Sequence, residues 1–219
     1  MSKLYLGLVH YPVLNKLGKR IMTSVTNLDI HDIARLAACY NCRGYYLITP
    51  DSQQQTLIEK ICLHWKTNEG LMYNPDRSRA LALVRTADSI ETVTDLITSQ
   101  EGLRPIVVTT TARILPAQMT YGKLSLAASG TRPVLLLFGT GYGLCDEIHE
   151  QADYILSPIK GTGAYRHLSV RSAVAIVLDR ISSEKIDGRN HGYSATSWQR
   201  PNQNRLSRLS RRRYGQGPL

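Results

Sequence analysis

Short apolar runs alternate with segments of helical periodicity along the chain as far as position 180. The apolar runs are compact rather than alternating, which is typical of strands buried on both faces of a parallel sheet. The helical segments carry apolar residues at spacings of three and four. The runs predicted as strands are 4–9, 44–49, 81–87, 105–110, 134–138 and 154–156, and the segments predicted as helices are 30–40, 52–66, 90–98 and 169–181.

This order of elements predicts an α/β fold in which helices flank a parallel sheet. Asp88 or Ser89 is expected to cap the third helix, because both side chains accept hydrogen bonds from free backbone amides. Apolar residues become scarce after residue 181, where Gly, Asn, Gln, Ser and Arg dominate. The sequence therefore predicts a domain over 1–181 and a disordered, Arg-rich tail over 182–219.

The formal charge of +10 is divided unevenly between these two parts. Residues 1–180 hold 19 Lys and Arg against 15 Asp and Glu, whereas residues 181–219 hold 8 against 2. A basic surplus favours polyanions, and charge by itself leaves RNA, DNA and an acidic membrane surface open. The tail carries more than half of the net positive charge.

Composition excludes several classes of protein. With 42% hydrophobic and 20% charged residues, the chain is typical of a globular protein rather than a wholly disordered or fibrous one. Because the apolar part of segment 1–11 is too short for a signal sequence and the chain has no long apolar run, we expect a cytoplasmic protein without a membrane segment. Cys39 and Cys42 form a CxxC without a second pair, so core thiols are favoured over a metal or redox site.

Three loops that follow predicted strands are rich in residues that bind ligands. Glycines alternate over 139–143, where the pattern matches neither GxGxxG nor a Walker A motif. Hydroxyl groups cluster at 109–111, and the loop 157–169 combines glycines with Lys160 and Arg166. Loops at the carboxyl ends of parallel strands are common cofactor sites. The alternative interpretation is that each of these three loops is only a tight turn or a solvated loop without a ligand.

A polar cluster stands at the start of the first predicted helix. Asp29, Asp32 and Arg35 are three residues apart and share roughly one helical face. His31 is a candidate general base. A helix-capping cluster with internal ion pairs would have the same composition.

Six segments in order resemble the SPOUT-class RNA methyltransferases. The group most similar is the stand-alone or fused α/β-knot domain found beside bacterial tRNA guanine-N1 methyltransferases. The resemblance implies a deep trefoil knot in the C-terminal part of the domain, S-adenosylmethionine (SAM) as cofactor, no metal, and a homodimer with the site near the subunit interface. The segments are SVTNLDIHDIAR (24–35), RGYYLITP (43–50), YNPDRSRALALVR (73–85), TTTAR (109–113), LLLFGTGYGL (135–144) and SPIKGTGAYRHLSVRSAVAIVLDR (157–180).

The resemblance also implies roles for individual residues. Arg35 matches an arginine that helps to activate the acceptor in the ribose-methylating branch, and Asp29, Asp32 or His31 would accept the proton. The tail lies outside the resemblance, and its arginines are expected to contact RNA because Arg-rich segments bind phosphates; they are Arg205, Arg208, Arg211, Arg212 and Arg213. The implied SAM contacts are Thr110, Ala112, Leu137, Phe138, Gly139, Gly141, Leu144, Ser157, Ile159, Gly161, His167 and Leu168.

Two positions depart from the ribose-methylating branch and leave the methylated atom open. Asp29 stands where that branch has Asn, and Ser169 stands at the Asn of the last motif, with Arg171 two residues on. The leading hypothesis is a SAM-dependent methyltransferase of tRNA or rRNA that modifies a ribose 2'-hydroxyl or a base nitrogen. The alternative is a catalytically silent RNA-binding knot protein that uses its basic tail. A nucleotide-dependent oxidoreductase or hydrolase is disfavoured by the missing motifs.

Overall fold

The computed structural model describes residues 3–115, 117–163, 165 and 167–187. Within them the chain forms eight strands and eight helices. The strands are β1 (Leu4–Val9), β2 (Val13–Leu14), β3 (Arg20–Ile21), β4 (Gly44–Ile48), β5 (Val84–Ala87), β6 (Ile106–Thr109), β7 (Val134–Gly139) and β8 (Tyr154–Ile155). The helices are α1 (Asn27–Cys39), α2 (Ser52–Lys66), α3 (Asn68–Tyr73), α4 (Pro75–Leu81), α5 (Ile90–Glu101), α6 (Tyr121–Ser129), α7 (Asp146–Gln151) and α8 (Val170–Asp187).

Six of the strands form one sheet in the order β5-β4-β1-β7-β6-β8. Every pairing in it is parallel, so the carboxyl ends of all six strands lie along the same edge. In the middle of the sheet Leu6 is paired with Tyr45 of β4 on one side and with Leu136 of β7 on the other. The predicted parallel α/β architecture is confirmed.

Alternate residues of β1 enter two hydrophobic cores, one on each face of the sheet. Leu6 and Leu8 pack with residues of α1, α2, α4, α6 and α8. Tyr5 and Val9 pack on the other face with residues of α5, α7 and β2. Because both faces are covered, the strands are apolar without alternation, which is the pattern that the sequence shows.

Several predicted elements have the expected bounds. Helix α2 coincides with the prediction, and Ser89 caps α5 by accepting a hydrogen bond from the amide of Thr92 at 3.1 Å. Helix α1 begins before the predicted residue 30, because the Thr26 hydroxyl accepts from the amide of Asp29 and so caps the helix earlier. Strand β5 begins only at Val84, since Leu81 belongs to α4.

Helix α8 extends beyond its predicted end. It runs to Asp187, so the boundary predicted at residue 182 falls inside a helix. Its packing explains the extension in part, because Ile181 is buried and its carbonyl accepts a hydrogen bond from Ser125 of α6 at 2.7 Å. The remainder of the predicted tail, with its five candidate RNA-contacting arginines, lies outside the described residues.

The elements that the sequence analysis missed are short. The β2–β3 hairpin pairs only two residues on each side, and its turn is held by Asn15, whose side-chain oxygen accepts from the amides of Leu17 and Lys19, both at 2.9 Å. Helices α3, α4, α6 and α7 have six to nine residues. Segments of this length contain too few turns for a clear periodicity.

No helix in the described part of the chain is long and apolar enough to cross a membrane. The same residues contain no group of three His, Cys, Asp or Glu side chains that would hold a metal ion. Cys42, Cys62 and Cys145 are buried, as expected for core thiols. That expectation is wrong for Cys39, which is exposed at the end of α1.

Candidate functional site

A cavity of about 530 Å³ opens at the carboxyl edge of the sheet, beside β6 and β7. Its walls are the segments after these strands, the segment after β8, and the first turns of α1 and α8. Phe138, Leu156 and Val177 are buried side chains that give it an apolar floor. This size and composition suit a small organic ligand with a flat apolar part.

The glycine loop that follows β7 is shaped by contact with the β2–β3 hairpin. The amide of Tyr142 donates to the carbonyl of Leu14 at 2.8 Å. A Cβ at Gly141 would lie 2.8 Å from that carbonyl oxygen, and Gly141 has a left-handed φ of +58°. Gly143 also has a positive φ, of +104°. Because they have no side chain, the glycines allow two backbone segments to approach closely. The resulting loop lines the cavity.

A chain of hydroxyl groups joins the hairpin to the glycine loop. The hydroxyl of Thr140 donates to the carbonyl of Val9 at 3.0 Å, and it lies 2.5 Å from the hydroxyl of Thr23. The Nδ1 atom of His10 is 3.1 Å from the Thr23 hydroxyl. Thr140, Thr23 and His10 therefore form one continuous series of hydrogen-bonding side chains. Both threonines line the cavity.

His10 holds this series of hydroxyl groups in place from inside the protein. Its side chain is fully buried, and its Nε2 atom has no hydrogen-bond partner among the described residues. Burial lowers the pKa of His10 to about 4, although the nearby carboxylate of Asp29 opposes the shift. The imidazole is therefore neutral at pH 7.

An ion-pair wall closes the cavity where α1 and α8 begin. Arg171 donates through Nη1 to Oδ1 of Asp29 at 2.7 Å, and its Nε atom lies 3.4 Å from Oδ2 of Asp32. The other oxygen of Asp29 accepts from the hydroxyl of Thr26 at 2.6 Å. The Asp29 side chain is 7% exposed and that of Arg171 32%, so this pair is largely removed from water.

Residues 3–183 match the family model of the SAM-dependent RNA methyltransferases. The chain belongs to that family. The resemblance inferred from the six sequence segments is thereby confirmed, and so is SAM as the cofactor of the family. The family match ends inside α8, at a point where the structure still describes the chain.

The chain is similar to two known proteins and to one solved structure. The tRNA (guanine-N(1)-)-methyltransferase of Oleidesulfovibrio alaskensis is 43% identical over 183 residues, which cover 84% of this chain and 43% of that protein. An uncharacterized protein of Aquifex aeolicus is 41% identical over 183 residues, which cover 83% of this chain and 89% of that protein. The chain therefore spans less than half the length of the Oleidesulfovibrio relative.

The solved structure is the SpoU methyltransferase AviRb from Streptomyces viridochromogenes in complex with the cofactor AdoMet. It is similar to this chain with a TM-score of 0.56 and 16% identity, over 86% of this chain and 60% of that one. At that identity the likeness establishes the fold. The parallel sheet of this chain thus has the same fold as that solved structure.

Ten of the twelve SAM contacts predicted from the sequence line the cavity. Leu137 does not, because its side chain points into the core on the opposite face and its carbonyl already accepts from the amide and hydroxyl of Thr110, at 3.0 and 2.9 Å. Gly161 lies in the exposed part of the last loop. The ten are Thr110, Ala112, Phe138, Gly139, Gly141, Leu144, Ser157, Ile159, His167 and Leu168.

The four predicted catalytic residues occupy different places. Asp29 lines the cavity, and Asp32 reaches its edge through Arg171. His31 lies outside the cavity lining, with its ring 6.0 Å from that of Trp65 in an edge-on contact. Arg35 is exposed and also lies outside the lining. Of this cluster, the structure therefore places only Asp29 in the cavity lining of its own chain, and Asp32 contacts the lining residue Arg171.

Some cavity residues were not singled out from the sequence. Thr23, Thr140 and Tyr142 enter the site because the hairpin packs on the glycine loop, and a hairpin of two-residue strands leaves no periodic pattern. Tyr121 lines the cavity from α6, where burial raises the pKa of its hydroxyl and Arg180 opposes the shift. A sequence signal was present for Thr140 and Tyr142, which lie inside the motif 135–144, and for Arg171, which lies two residues after Ser169.

Proposed function

We propose that this chain transfers the methyl group of SAM to an RNA acceptor, with tRNA as the substrate class. One observation carries the proposal: loops that are far apart in the sequence converge on one cavity, and they contain ten of the contacts that the family resemblance implies for SAM. The name of the Oleidesulfovibrio relative supports tRNA. The acceptor atom is a ribose 2'-oxygen or a base nitrogen.

The residues present fit SAM. The apolar floor at Phe138 and Leu156 would hold the adenine, and backbone groups of the glycine loop would bind its edge and the ribose. The crowding at Gly141 keeps side chains out of this region. When bound, SAM would supply a methyl group attached to a positively charged sulfur. The neutral thioether leaves when the acceptor takes the methyl group, so the transfer requires no metal. The protein has to orient the acceptor and receive one proton.

Asp29 is suited to positioning rather than to accepting that proton. One of its oxygens accepts from Arg171 and the other from Thr26, so neither is directed only at the cavity. Asp32 is about half exposed and has the longer contact with Arg171, which leaves its carboxylate more accessible. Among the predicted acceptors in this cluster, Asp32 is therefore the better candidate.

We also propose the trefoil knot and a cytoplasmic homodimer, as the resemblance implies. In such a dimer Arg35, which is exposed and lies outside its own cavity, would act in the cavity of the other subunit. Mixing Arg35→Ala chains with Gly141→Val chains tests this arrangement. Mixed dimers should regain methyl transfer in one cavity, whereas no recovery would place Arg35 in its own subunit's reaction or outside the reaction.

Isothermal titration of the full chain with SAM tests the cofactor site. We expect binding that Gly141→Val weakens at least tenfold, since a side chain there collides with Leu14. An exposed substitution on α3, Tyr73→Ala, is the control. The absence of any heat of binding up to millimolar SAM would overturn the proposal.

A second experiment addresses the modified atom. It compares nucleosides by mass in RNA from cells with and without the gene.

The second candidate function is RNA binding without catalysis. It is favoured by the ion-paired state of Asp29 and by the positions of His31 and Arg35 outside the cavity. SAM binding without turnover on total RNA would support it. Because α8 continues to Asp187, the tail should be removed after that residue rather than at 182. If the basic tail provides the RNA contact, its removal should lower both the affinity and the salt dependence of binding.

A further inference from the structure

Three aromatic rings form a row at the mouth of the cavity. The ring of His167 lies 6.4 Å from that of Tyr142 and 5.7 Å from that of Tyr165, with both pairs in tilted, edge-on arrangements. Tyr142 is 58% exposed and Tyr165 78% exposed. Tyr142 and His167 line the cavity, and Tyr165 extends the row away from it. We call these three residues the aromatic row.

The aromatic row is not explained by the hydrophobic core. None of its members belongs to either core cluster, and all three side chains face solvent. Other exposed tyrosines, such as Tyr73 on α3, lie outside this row. Contiguous exposed aromatic surface on a protein commonly marks a binding site.

We propose that the aromatic row is a stacking platform for an unpaired base of the RNA substrate, next to the base or ribose that is methylated. This inference rests on the proposed function. RNA-binding proteins recognise single-stranded segments by stacking splayed bases on Tyr, Phe, Trp and His rings. An enzyme that modifies a nucleotide takes it out of the helical stack, so the neighbouring base needs a new surface to pack against.

The position and charge of the row agree with this occupant. It is continuous with the cavity at Tyr142 and His167, so a nucleotide on Tyr165 would be close to one that enters the cavity. The surplus of positive charge on the chain, +10, suits a polyanion, and Lys160 is exposed in the same loop as Tyr165.

Stacking and phosphate contacts can be distinguished by their dependence on salt. Each phosphate of a single strand that the protein neutralises adds about 0.7 to the slope of log K against log salt, whereas stacking is nearly independent of salt. The full chain is titrated into a fluorescein-labelled 12-mer oligoadenylate and into a 12-base-pair RNA duplex at several salt concentrations. Tyr165→Ala is compared with Tyr165→Phe, which keeps the ring, and with the exposed control Tyr73→Ala.

We expect Tyr165→Ala to weaken oligoadenylate binding about fivefold or more with an unchanged salt slope. Tyr165→Phe and Tyr73→Ala should bind like the unsubstituted chain, and duplex binding should not change. An equal loss on the duplex, an altered slope, a change of oligomeric state, or no loss at all would overturn the inference. If the chain binds SAM but Tyr165→Ala binds oligoadenylate normally, only this inference fails. If the chain binds no SAM, the proposed function fails.

Discussion

The two faces of helix α1 have opposite surroundings, although the residues that form them are interleaved in the sequence. Asp29 lines the cavity, and Asp32, which lies outside the lining, shares Arg171 of α8 with it. His31, between them, packs edge-on against Trp65 of α2. The pKa of His31 is lowered mainly by burial and by Arg77, whereas the carboxylates are held by an ion pair.

The polar residues of this cluster therefore do not form a single site. The helical period turns position 31 away from positions 29 and 32 by about one hundred degrees or more. Which side then meets the cavity depends on Arg171, a residue 142 positions away from Asp29 in the chain. Substitutions on the two sides of α1 should therefore have different consequences.

The largest expected effect belongs to Asp29→Ala. Removing this carboxylate leaves Arg171 without its shorter ion pair and Thr26 without its acceptor. The free energy of unfolding should therefore fall by about 3 kcal/mol. Urea denaturation measures the change. Asp32→Ala is the control and should cost only about 0.5 kcal/mol, because Asp32 is about half exposed. Equal losses for the two variants would contradict the distinction.

The second expected effect depends on pH and concerns His10, behind the cavity. Burial lowers the pKa of His10 to about 4 in the folded chain. Below pH 6.5 the unfolded chain therefore binds a proton that the folded chain rejects. Stability is lost as pH falls from 6.5 toward 4, by about 2 kcal/mol at pH 5.

Denaturation of His10→Asn at pH 8 and pH 5 tests this expectation. The variant should lose less stability on acidification than the unsubstituted chain does. His64→Gln, an exposed histidine of α2, is the matched control. If His10→Asn and the unsubstituted chain have the same dependence on pH, then His10 is not the group that rejects the proton.

A smaller effect is expected for His31→Ala on the other face of α1. Loss of the edge-on packing against Trp65 should lower the free energy of unfolding by about 1 kcal/mol. The affinity for SAM should stay within twofold, because His31 is outside the cavity lining. Calorimetry checks the second statement, and a large loss of SAM binding would show that the two faces are coupled.

The smallest effect on stability is expected for Arg35→Ala. Arg35 is an exposed side chain outside the cavity. Its removal should change the free energy of unfolding by at most about 0.5 kcal/mol and leave SAM binding intact. Methyl transfer to RNA should nevertheless be lost if Arg35 acts on the acceptor. Loss of SAM binding together with transfer would instead make Arg35 a structural residue.

Much of the fold could be predicted from the sequence because its main strands are buried on both faces. Such strands are continuous apolar runs, and β7 is an example. Ten of the residues predicted to contact SAM line one cavity for a related reason, since loops at the carboxyl ends of neighbouring parallel strands have to meet. Leu137 is not in the lining because alternate residues of a strand face opposite sides of the sheet, and the order of residues in a motif does not show which side each one faces.

The alternation of strands and helices, the family and the basic character of the tail follow from the amino-acid sequence alone, because they depend on local periodicity and on residues in a fixed order. Which polar groups share the cavity depends instead on how the chain folds. The partners of Asp29 and Thr140 are Arg171 and Thr23, more than a hundred positions away in each case. Pairs of this kind leave no local signal, since their distance is fixed only when the sheet brings its strand ends together.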